Sequence, residues 1–180
     1  MREKYTEQEK LDLLYDEIDY RFEKLSDVVW KKVSSSLRRT SISEEFMIVF
    51  QDKLNLNYVS QHQELSEECI AACKDHIDWG RVSRYQTLSE NFIRKFQDKV
   101  YWDTISEYQK LSEDFMREFQ DKINWTIITT HQEYSEDFIR EFIDRMDLEA
   151  ICECRNLSES IEREMKDIIN RKVFLTGRFD

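Results

Sequence analysis

The chain lacks the residues that break helices: it has no proline and only two glycines, Gly80 and Gly177, among its 180 residues. Sheets joined by tight turns, and long loops, need such residues, so their shortage favours an all-α protein. A glycine-rich phosphate-binding loop is disfavoured for the same reason. No segment approaches the roughly 18 consecutive apolar residues of a membrane-spanning helix, so none is predicted.

Metal-binding and redox motifs are also missing. The four cysteines have no zinc-finger spacing, because Cys69 and Cys73 are four residues apart and Cys152 and Cys154 are two apart. The N-terminus, MREKYTEQEK, carries no apolar run behind its basic residues, so no secretory leader is predicted and the thiols are expected to be reduced. We expect Cys69 and Cys73 to pack in the core as small hydrophobic residues, and we expect no metal site.

Residues for catalysis are scarce. His62 and His131 occupy one position of an internal repeat, and Tyr85 and Tyr108 fill the same position between them. A catalytic histidine would not be replaced by tyrosine in this way, so a half-buried amphipathic ring is the simpler interpretation. The chain also has no HExxH motif. The sequence therefore predicts neither an enzyme nor a cofactor site.

What the chain does contain is a repeat of 23 residues. Each unit begins with Ser followed by Glu and has Asp nine positions after the Ser; four units have Phe three and seven positions after it. Trp79, Trp102 and Trp125 stand at the thirteenth position, where Leu56 and Leu148 replace Trp. The serines are Ser43, Ser66, Ser89, Ser112, Ser135 and Ser158, and the aspartates are Asp52, Asp75, Asp98, Asp121, Asp144 and Asp167. A fixed period of this size indicates stacked supersecondary units, none of which can bury its apolar face alone.

Each unit is predicted to be two short helices. In the fourth unit Ser112 is the N-cap of the first helix, and Asn124 is the N-cap of the second, with connecting turns of only a residue or two. Corresponding caps of the second helix are Asn55, Asp78 and Asp147, whereas Tyr101 breaks the pattern. Aromatic repeat positions are expected to form the buried core: Phe46, Phe50, Trp79, Phe92, Phe96, Trp102, Phe115, Phe119, Trp125, Phe138 and Phe142.

The predicted fold is an all-α, right-handed αα-hairpin solenoid of about five to six repeats with an N-terminal capping helix. Residues 1–41 are expected to form that capping helix and a degenerate repeat around Trp30. Residues 42–170 form the tandem repeats, and residues 171–180 form a C-terminal cap or a frayed tail.

Two recurring polar columns are expected to serve the stack. The aspartate of each unit would cap its turn or pair with Lys53, Lys99, Lys122 or Arg145, one residue later in a neighbouring unit, rather than bind a cation. The glutamines at one repeat position would satisfy backbone groups between units. These glutamines are Gln63, Gln86, Gln109 and Gln132.

The charge balance points to a protein partner. The chain has 38 acidic and 27 basic residues, a net charge of −11, and this disfavours direct binding of nucleic acid, which needs clustered Lys and Arg. An acidic surface suits the basic, nucleic-acid-binding groove of another protein instead. The carboxylates that we expect to contact this partner are Glu113, Asp114, Glu118, Glu136, Asp137 and Glu141.

The unit L-S-E-D-F-I-R-x-F-Q-D-K-V-x-W-x-x-I-S-x-x-Q, carried by Leu111–Lys122 and Val100–Gln109, resembles an uncharacterised helical tandem-repeat family of phages, large DNA viruses and some bacteria. The resemblance covers residues 42–170 and departs from the pattern at Cys69, Cys73 and around Leu148. It implies a viral protein of the host cytoplasm that inhibits a host nucleic-acid-handling or defence complex, in the manner of an anti-CRISPR protein. A general protein–protein adaptor and an RNA-binding repeat protein are the alternatives, and the oligomeric state is left open.

Overall fold

The computed structural model describes residues 42–154 and 157–176, and within this part of the chain there are eleven helices and no strand. The chain divides into two compact units, with Thr87 the last residue of unit 1 and Leu88 the first of unit 2. Unit 1 contains α1 (Glu44–Val49), α2 (Leu56–His62), α3 (Glu67–Ala72) and α4 (Trp79–Tyr85). Unit 2 contains α5 (Glu90–Lys95), α6 (Trp102–Tyr108), α7 (Glu113–Glu118), α8 (Trp125–His131), α9 (Glu136–Phe142), α10 (Leu148–Cys154) and α11 (Glu159–Thr176).

Helices alternate between two kinds within each repeat. The A helix follows the repeat serine and the B helix follows the repeat Trp or Leu, so α1, α3, α5, α7 and α9 are A helices and α2, α4, α6, α8 and α10 are B helices. Within unit 1, α1 packs against α3 and α2 against α4; within unit 2, α6 packs against α8 and α8 against α10. In these pairs an A helix packs on the A helix of the next repeat, or a B helix on the B helix of the next repeat. This arrangement confirms the predicted all-α helical repeat. The predicted capping helix and degenerate repeat lie outside the described residues.

Side chains cap both kinds of helix. Before every A helix the repeat serine accepts a hydrogen bond from the backbone N–H three residues later, at 3.1–3.2 Å. Before four of the B helices the cap is Asn55, Asp78, Asn124 or Asp147, again bonded to the third N–H. These bonds satisfy donors that a helix start leaves without an intrahelical partner, so the predicted caps are confirmed. Tyr101 precedes α6 without a side-chain cap.

The A helices are shorter and the turns longer than the sequence predicts. The helix α7 ends at Glu118, and residues 119–124 form the connection to α8 instead of a turn of one or two residues. Within it Lys122 N and Ile123 N both donate to Phe119 O, which keeps the backbone coiled past the helix end. Because of this coil Ile123 still turns inward and is buried, as the apolar pattern required.

The core consists of repeating layers of rings and aliphatic side chains. Seven of the predicted core aromatics are buried, whereas Phe46, Phe96, Trp102 and Trp125 are half-buried. Two columns of non-aromatic apolar side chains, one on the A helices and one on the B helices, are each at 0–2% exposure. These columns are Met47, Ile70, Ile93, Met116 and Ile139, and Val59, Val82, Ile105, Ile128 and Ile151.

Buried glutamines join successive repeats. Gln132 accepts a hydrogen bond from Leu111 N at 3.1 Å and donates to Ser106 O and Gln109 O at 2.9 and 2.7 Å. Gln86 makes the corresponding three bonds in unit 1, with Leu65 N, Ser60 O and Gln63 O. Each side chain satisfies backbone groups of the preceding repeat, so the predicted structural role of this column is confirmed.

The last described helix differs from the repeats. Whereas the other helices have six or seven residues, α11 has 18 and runs from Glu159 to Thr176. Ile161 and Met165 are fully buried and continue the apolar stripe. The helix therefore extends six residues beyond position 170, where the tandem repeats were predicted to end. None of the described helices is both long and apolar enough to cross a membrane.

Candidate partner-binding surface

The repeat aspartates are bonded between repeats at the edge where A helices turn into B helices. Asp98 pairs with Lys122 at 3.7 Å and Asp121 with Arg145 at 3.0 Å, in each case one repeat further along the chain. Arg145 also lies over the ring of Trp125, at 5.8 Å from its centroid, and donates to Gln120 O. At these two positions the aspartate pairs with the next repeat, as predicted, although its side chain is 92% exposed at Asp98 and 84% at Asp121.

A second row of bonds, here called the Arg–Glu ladder, runs along the A helices of unit 2. Arg94 Nε donates to Glu118 at 2.7 Å, Arg117 Nε to Glu141 at 2.8 Å, and Arg140 Nε to Glu164 at 3.1 Å. The guanidinium groups of Arg94 and Arg117 also lie over the rings of Phe115 and Phe138, at 5.0 and 5.2 Å. Glu118 and Glu141, which the sequence predicts to contact a partner, are thus bonded to arginines of the preceding repeat.

Four of the six carboxylates expected to contact a partner are engaged within the molecule. Glu118 and Glu141 belong to the Arg–Glu ladder. Glu113 accepts a hydrogen bond from Ser135 N at 2.6 Å, and Glu136 accepts from Ser158 N and Ser158 Oγ at 2.7 and 2.8 Å. Glu113 and Glu136 therefore each bond the first turn of their own A helix to the repeat serine that precedes the next helix of this kind.

The hydrogen bonds to Glu113 and Glu136 shift the pKa values of these two carboxyl groups. Partial burial acts to raise the pKa of Glu113, but hydrogen bonds from Ser135 and Arg117 outweigh it and lower the pKa below its ordinary value. The pKa of Glu136 is lowered mainly by the hydrogen bonds from Ser158. Both groups consequently stay ionised to lower pH than an unbonded glutamate.

Asp114 and Asp137 are the two most exposed members of the set. Their side chains are 94% and 91% exposed, and each has one ion pair on its own helix, with Arg117 at 3.1 Å and Arg140 at 2.9 Å. An exposed pair of this kind is worth little because water screens it. These two carboxylates are therefore the most accessible of the six.

The edge where B helices turn into A helices carries a cleft in unit 2. It has a volume of about 370 Å³ and lies between the successive connections after α6 and α8. Its charged lining comprises Glu107, Lys110, Glu113 and Glu133, and its aromatic lining comprises Tyr108 and His131. The sequence pattern had indicated the shared ring position but not the charged groups around it, because those lie on different repeats.

The rings at the two ends of this cleft are held differently. Tyr108 is 42% exposed, so a large part of its ring is accessible to a ligand. His131 has its Nδ1 atom 2.7 Å from Thr130 Oγ1 and 3.3 Å from Ile127 O, which orients the imidazole on the last turn of α8. Acidic groups beside an exposed ring form the kind of site that accepts a cationic side chain.

The remaining candidate residues have structural roles or lie outside the described side chains. Cys69 and Cys73 are buried as expected, and burial raises the pKa of the Cys69 thiol to about 12. Cys152 is exposed, and the side chain of Cys154 is outside the described residues. Within the described ranges no three His, Cys, Asp or Glu side chains come together in a way that could hold a metal ion.

One exposed residue that the sequence marked only as an irregularity is Tyr101. It occupies the N-cap position before α6, carries no capping bond and is 59% exposed, more than Tyr85 or Tyr108. The missing Asn or Asp was visible in the sequence, but its solvent exposure follows from the packing of α6.

Comparison of the chain with protein-family models, with curated proteins and with solved structures finds no match.

Proposed function

We propose that this protein is a non-enzymatic binding module that recognises a basic segment of another protein. The observation that carries the proposal is the cleft of unit 2, in which the accessible ring of Tyr108 lies among Glu107, Glu113 and Glu133. Lysine and arginine side chains bind well to aromatic faces flanked by carboxylates. The cleft therefore complements a cationic partner in both its shape and its charge.

The distribution of charge along the chain supports the same partner. The two repeats from Ser112 to Leu157 contain twelve Asp and Glu but only five Lys and Arg, a net charge of −7 out of the total of −11. Asp114 and Asp137 open the A helices of these repeats and are almost fully exposed. This acidic field would speed the encounter with a basic surface and would weaken with salt.

The contrast between recurring positions that are bonded internally and exposed positions that vary also favours binding over catalysis. The recurring Ser, Gln and Asp positions are bonded within or between repeats, as Ser112, Gln132 and Asp121 illustrate. Exposed positions vary between repeats, as the one shared by Glu64, Thr87, Lys110 and Glu133 does. A scaffold with constant internal bonds and variable exposed side chains is how repeat proteins create binding surfaces.

The resemblance to viral and phage repeat proteins extends the proposal to a specific role. An acidic protein delivered to a host cytoplasm would occupy the nucleic-acid groove of a host defence or nucleic-acid-handling complex. A plain adaptor that binds through an apolar patch is the second candidate, supported by the exposed ring of Tyr101. Direct RNA binding is less favoured, because Arg94, Arg117 and Arg140 are each paired with a glutamate.

The test is to isolate a partner and then remove charge from the exposed aspartates. The tagged protein is incubated with bacterial lysate with and without nuclease, and the partner that co-purifies in stoichiometric amount is identified by mass spectrometry. Affinity for the purified partner is then measured for Asp114→Asn together with Asp137→Asn. Asn91 already occupies the same repeat position, so the fold tolerates asparagine there. We expect weaker binding and a shallower dependence on salt.

The matched control is Glu45→Gln together with Glu68→Gln. These glutamates are exposed at the same repeat position in unit 1, where the net charge is smaller. The control should bind like the wild type. Equal binding by the aspartate variant and the wild type at low salt would exclude an acidic recognition surface and favour the adaptor, whereas a signal that disappears with nuclease would favour RNA.

A further inference from the structure

We propose that the cleft of unit 2 binds an extended segment whose cationic side chains are three residues apart. This inference rests on the proposed function and specifies the class of ligand for the same site. The ligand is a basic polyproline II-like peptide segment of the partner protein. It would place one cationic side chain beside Tyr108 and the next beside His131.

The spacing follows from the repeat itself. Tyr108 and His131 are 23 residues apart, so they stand at one position of two successive repeats, on the last turns of α6 and α8. The helices α6 and α8 pack against each other, and packed helices have axes about 8–10 Å apart. A polyproline II segment has three residues per turn and rises about 3.1 Å per residue, so side chains on one of its faces recur at about 9 Å. The distance between the packed helices, about 8–10 Å, therefore matches the distance between side chains on one face of the peptide, about 9 Å.

The lining places a carboxylate next to each ring in the chain, although Lys110, two residues after Tyr108, opposes a cation at that end. The ring of Tyr108 is accessible, and Glu107 precedes it on α6. At the other position His131 is held through Nδ1 by Thr130 and Ile127, and Glu133 follows it in the connection after α8. Each position thus pairs a ring with a carboxylate, the combination that binds arginine or lysine through its face and its charge.

Lys110 sets the polarity of the cleft. It occupies the repeat position held by Glu133 one repeat later and by Glu64 in unit 1, and it lines the cleft together with Glu133. A cationic ligand is therefore repelled at Lys110 and attracted at Glu133. Because the repeat accepts either residue at this position, exchanging them changes the charge of the cleft without requiring a different fold.

The probes are two fluorescently labelled synthetic peptides of identical composition. One consists of Arg-Pro-Pro triplets, and the other has the same arginines gathered in a single block between prolines. Fluorescence anisotropy at low salt measures the affinity of the full chain for each peptide. We expect the triplet peptide to bind about threefold to tenfold more tightly, since its arginines reach both ring positions at once.

Variants at one repeat position test the site directly. Glu133→Lys should weaken binding of the triplet peptide about threefold to tenfold, and Lys110→Glu should strengthen it by a similar factor. Glu64→Lys, the same exchange in unit 1, is the matched control and should leave the affinity unchanged. His131→Tyr, which introduces the residue found at position 108, should strengthen binding about twofold to fivefold.

The outcomes separate the two proposals. Equal affinity for the triplet and block peptides would overturn the three-residue spacing and leave a basic partner in place. Equal effects of Glu133→Lys and Glu64→Lys would overturn the location in this cleft. If neither peptide binds, and the natural partner is also insensitive to Asp114→Asn with Asp137→Asn, the proposed function itself is wrong.

Discussion

Corresponding layers of the two units are built from different residues on the same helical repeat. In unit 2 the ring of Trp102 packs against Phe115 and Phe119 of the next repeat, with centroids 6.3 and 5.0 Å apart. In unit 1 the same three positions are Leu56, Cys69 and Cys73, all buried, and the two thiols share a hydrogen bond. The repeat therefore tolerates an aromatic layer or a thin aliphatic one without losing its helices.

The difference extends beyond the rings to the surface charges above them. Arg94 lies over Phe115 and bonds to Glu118, whereas the equivalent positions in unit 1 are Ile48 and Ala72. Five positions thus change together between the two layers. The ring and ion-pair positions do not always change together, because Arg140 keeps its bond to Glu164 where the ring positions are Leu148, Ile161 and Met165. Coupling of the five positions is therefore a hypothesis that needs its own test.

Common to both units is the network of backbone bonds. Gln86 and Gln132 make the same three hydrogen bonds, and Ser66 and Ser135 accept the same capping bond from the third N–H. Architecture in this protein depends on those invariant polar contacts, while the ring layers determine how strongly each unit is held together. The predictions below test this separation.

The largest expected effect comes from truncating one ring in the aromatic layer. Phe119→Ala should lower the free energy of unfolding by about 3–5 kcal/mol, because it removes a buried ring and leaves a cavity. Cys73→Ala, at the equivalent position of unit 1, should cost only about 1 kcal/mol, since it removes a single sulfur atom. Urea denaturation followed by circular dichroism measures both, and losses of equal size would contradict the contrast between the layers.

A smaller effect tests whether the five positions are coupled. Leu56→Trp alone should destabilise unit 1 by about 1–3 kcal/mol, because the wider ring overpacks a layer fitted to two cysteines. Cys69→Phe together with Cys73→Phe, without the other changes, should also lower the free energy of unfolding. The combined variant Leu56→Trp, Cys69→Phe, Cys73→Phe, Ile48→Arg and Ala72→Glu should recover most of the loss. Losses that simply add in the combined variant, measured by thermal unfolding, would show that the positions are independent.

The smallest expected effect concerns the side-chain cap that α6 of unit 2 lacks. Both B helices of unit 1 start from a capping side chain, Asn55 or Asp78, whereas α6 starts from Tyr101 without one. Tyr101→Asn should therefore raise the free energy of unfolding by about 0.5–1 kcal/mol. The matched change Asn124→Ala should lower it by a similar amount. A Tyr101→Asn variant less stable than the wild type would mean that the tyrosine packs usefully where it stands.

Much of the fold could be predicted from residues close together in the chain. A cap such as Ser112 bonds to a donor only three residues away, so its role can be inferred from sequence alone. The length of the A helices could not, because the sequence predicts a turn of only a residue or two before Asn124. In the structure the helix ends at Glu118, and Lys122 reaches Asp98 and Gln97 of the preceding repeat instead.

The candidate site was less predictable than the fold, because its groups come from different repeats. The sequence singled out Glu113, Glu118, Glu136 and Glu141 as exposed charges, yet each bonds to a group outside its own A helix. Only Asp114 and Asp137 keep nearly the full exposure expected of the set. Whether a carboxylate is accessible depends on the groups that a neighbouring repeat places beside it. A pattern over a few adjacent residues does not contain that information.

The sequence by itself determined the period, the helical class, the caps and the identity of the stacking glutamines. These follow from contacts over a few residues, or from a spacing of 23 that is identical in each unit. The tertiary structure alone decided which charges are paired, where the cleft lies and where the chain divides between Thr87 and Leu88. The physical reason is distance along the chain: Arg117 meets Glu141, and Lys110 faces Glu133, only after the repeats have stacked.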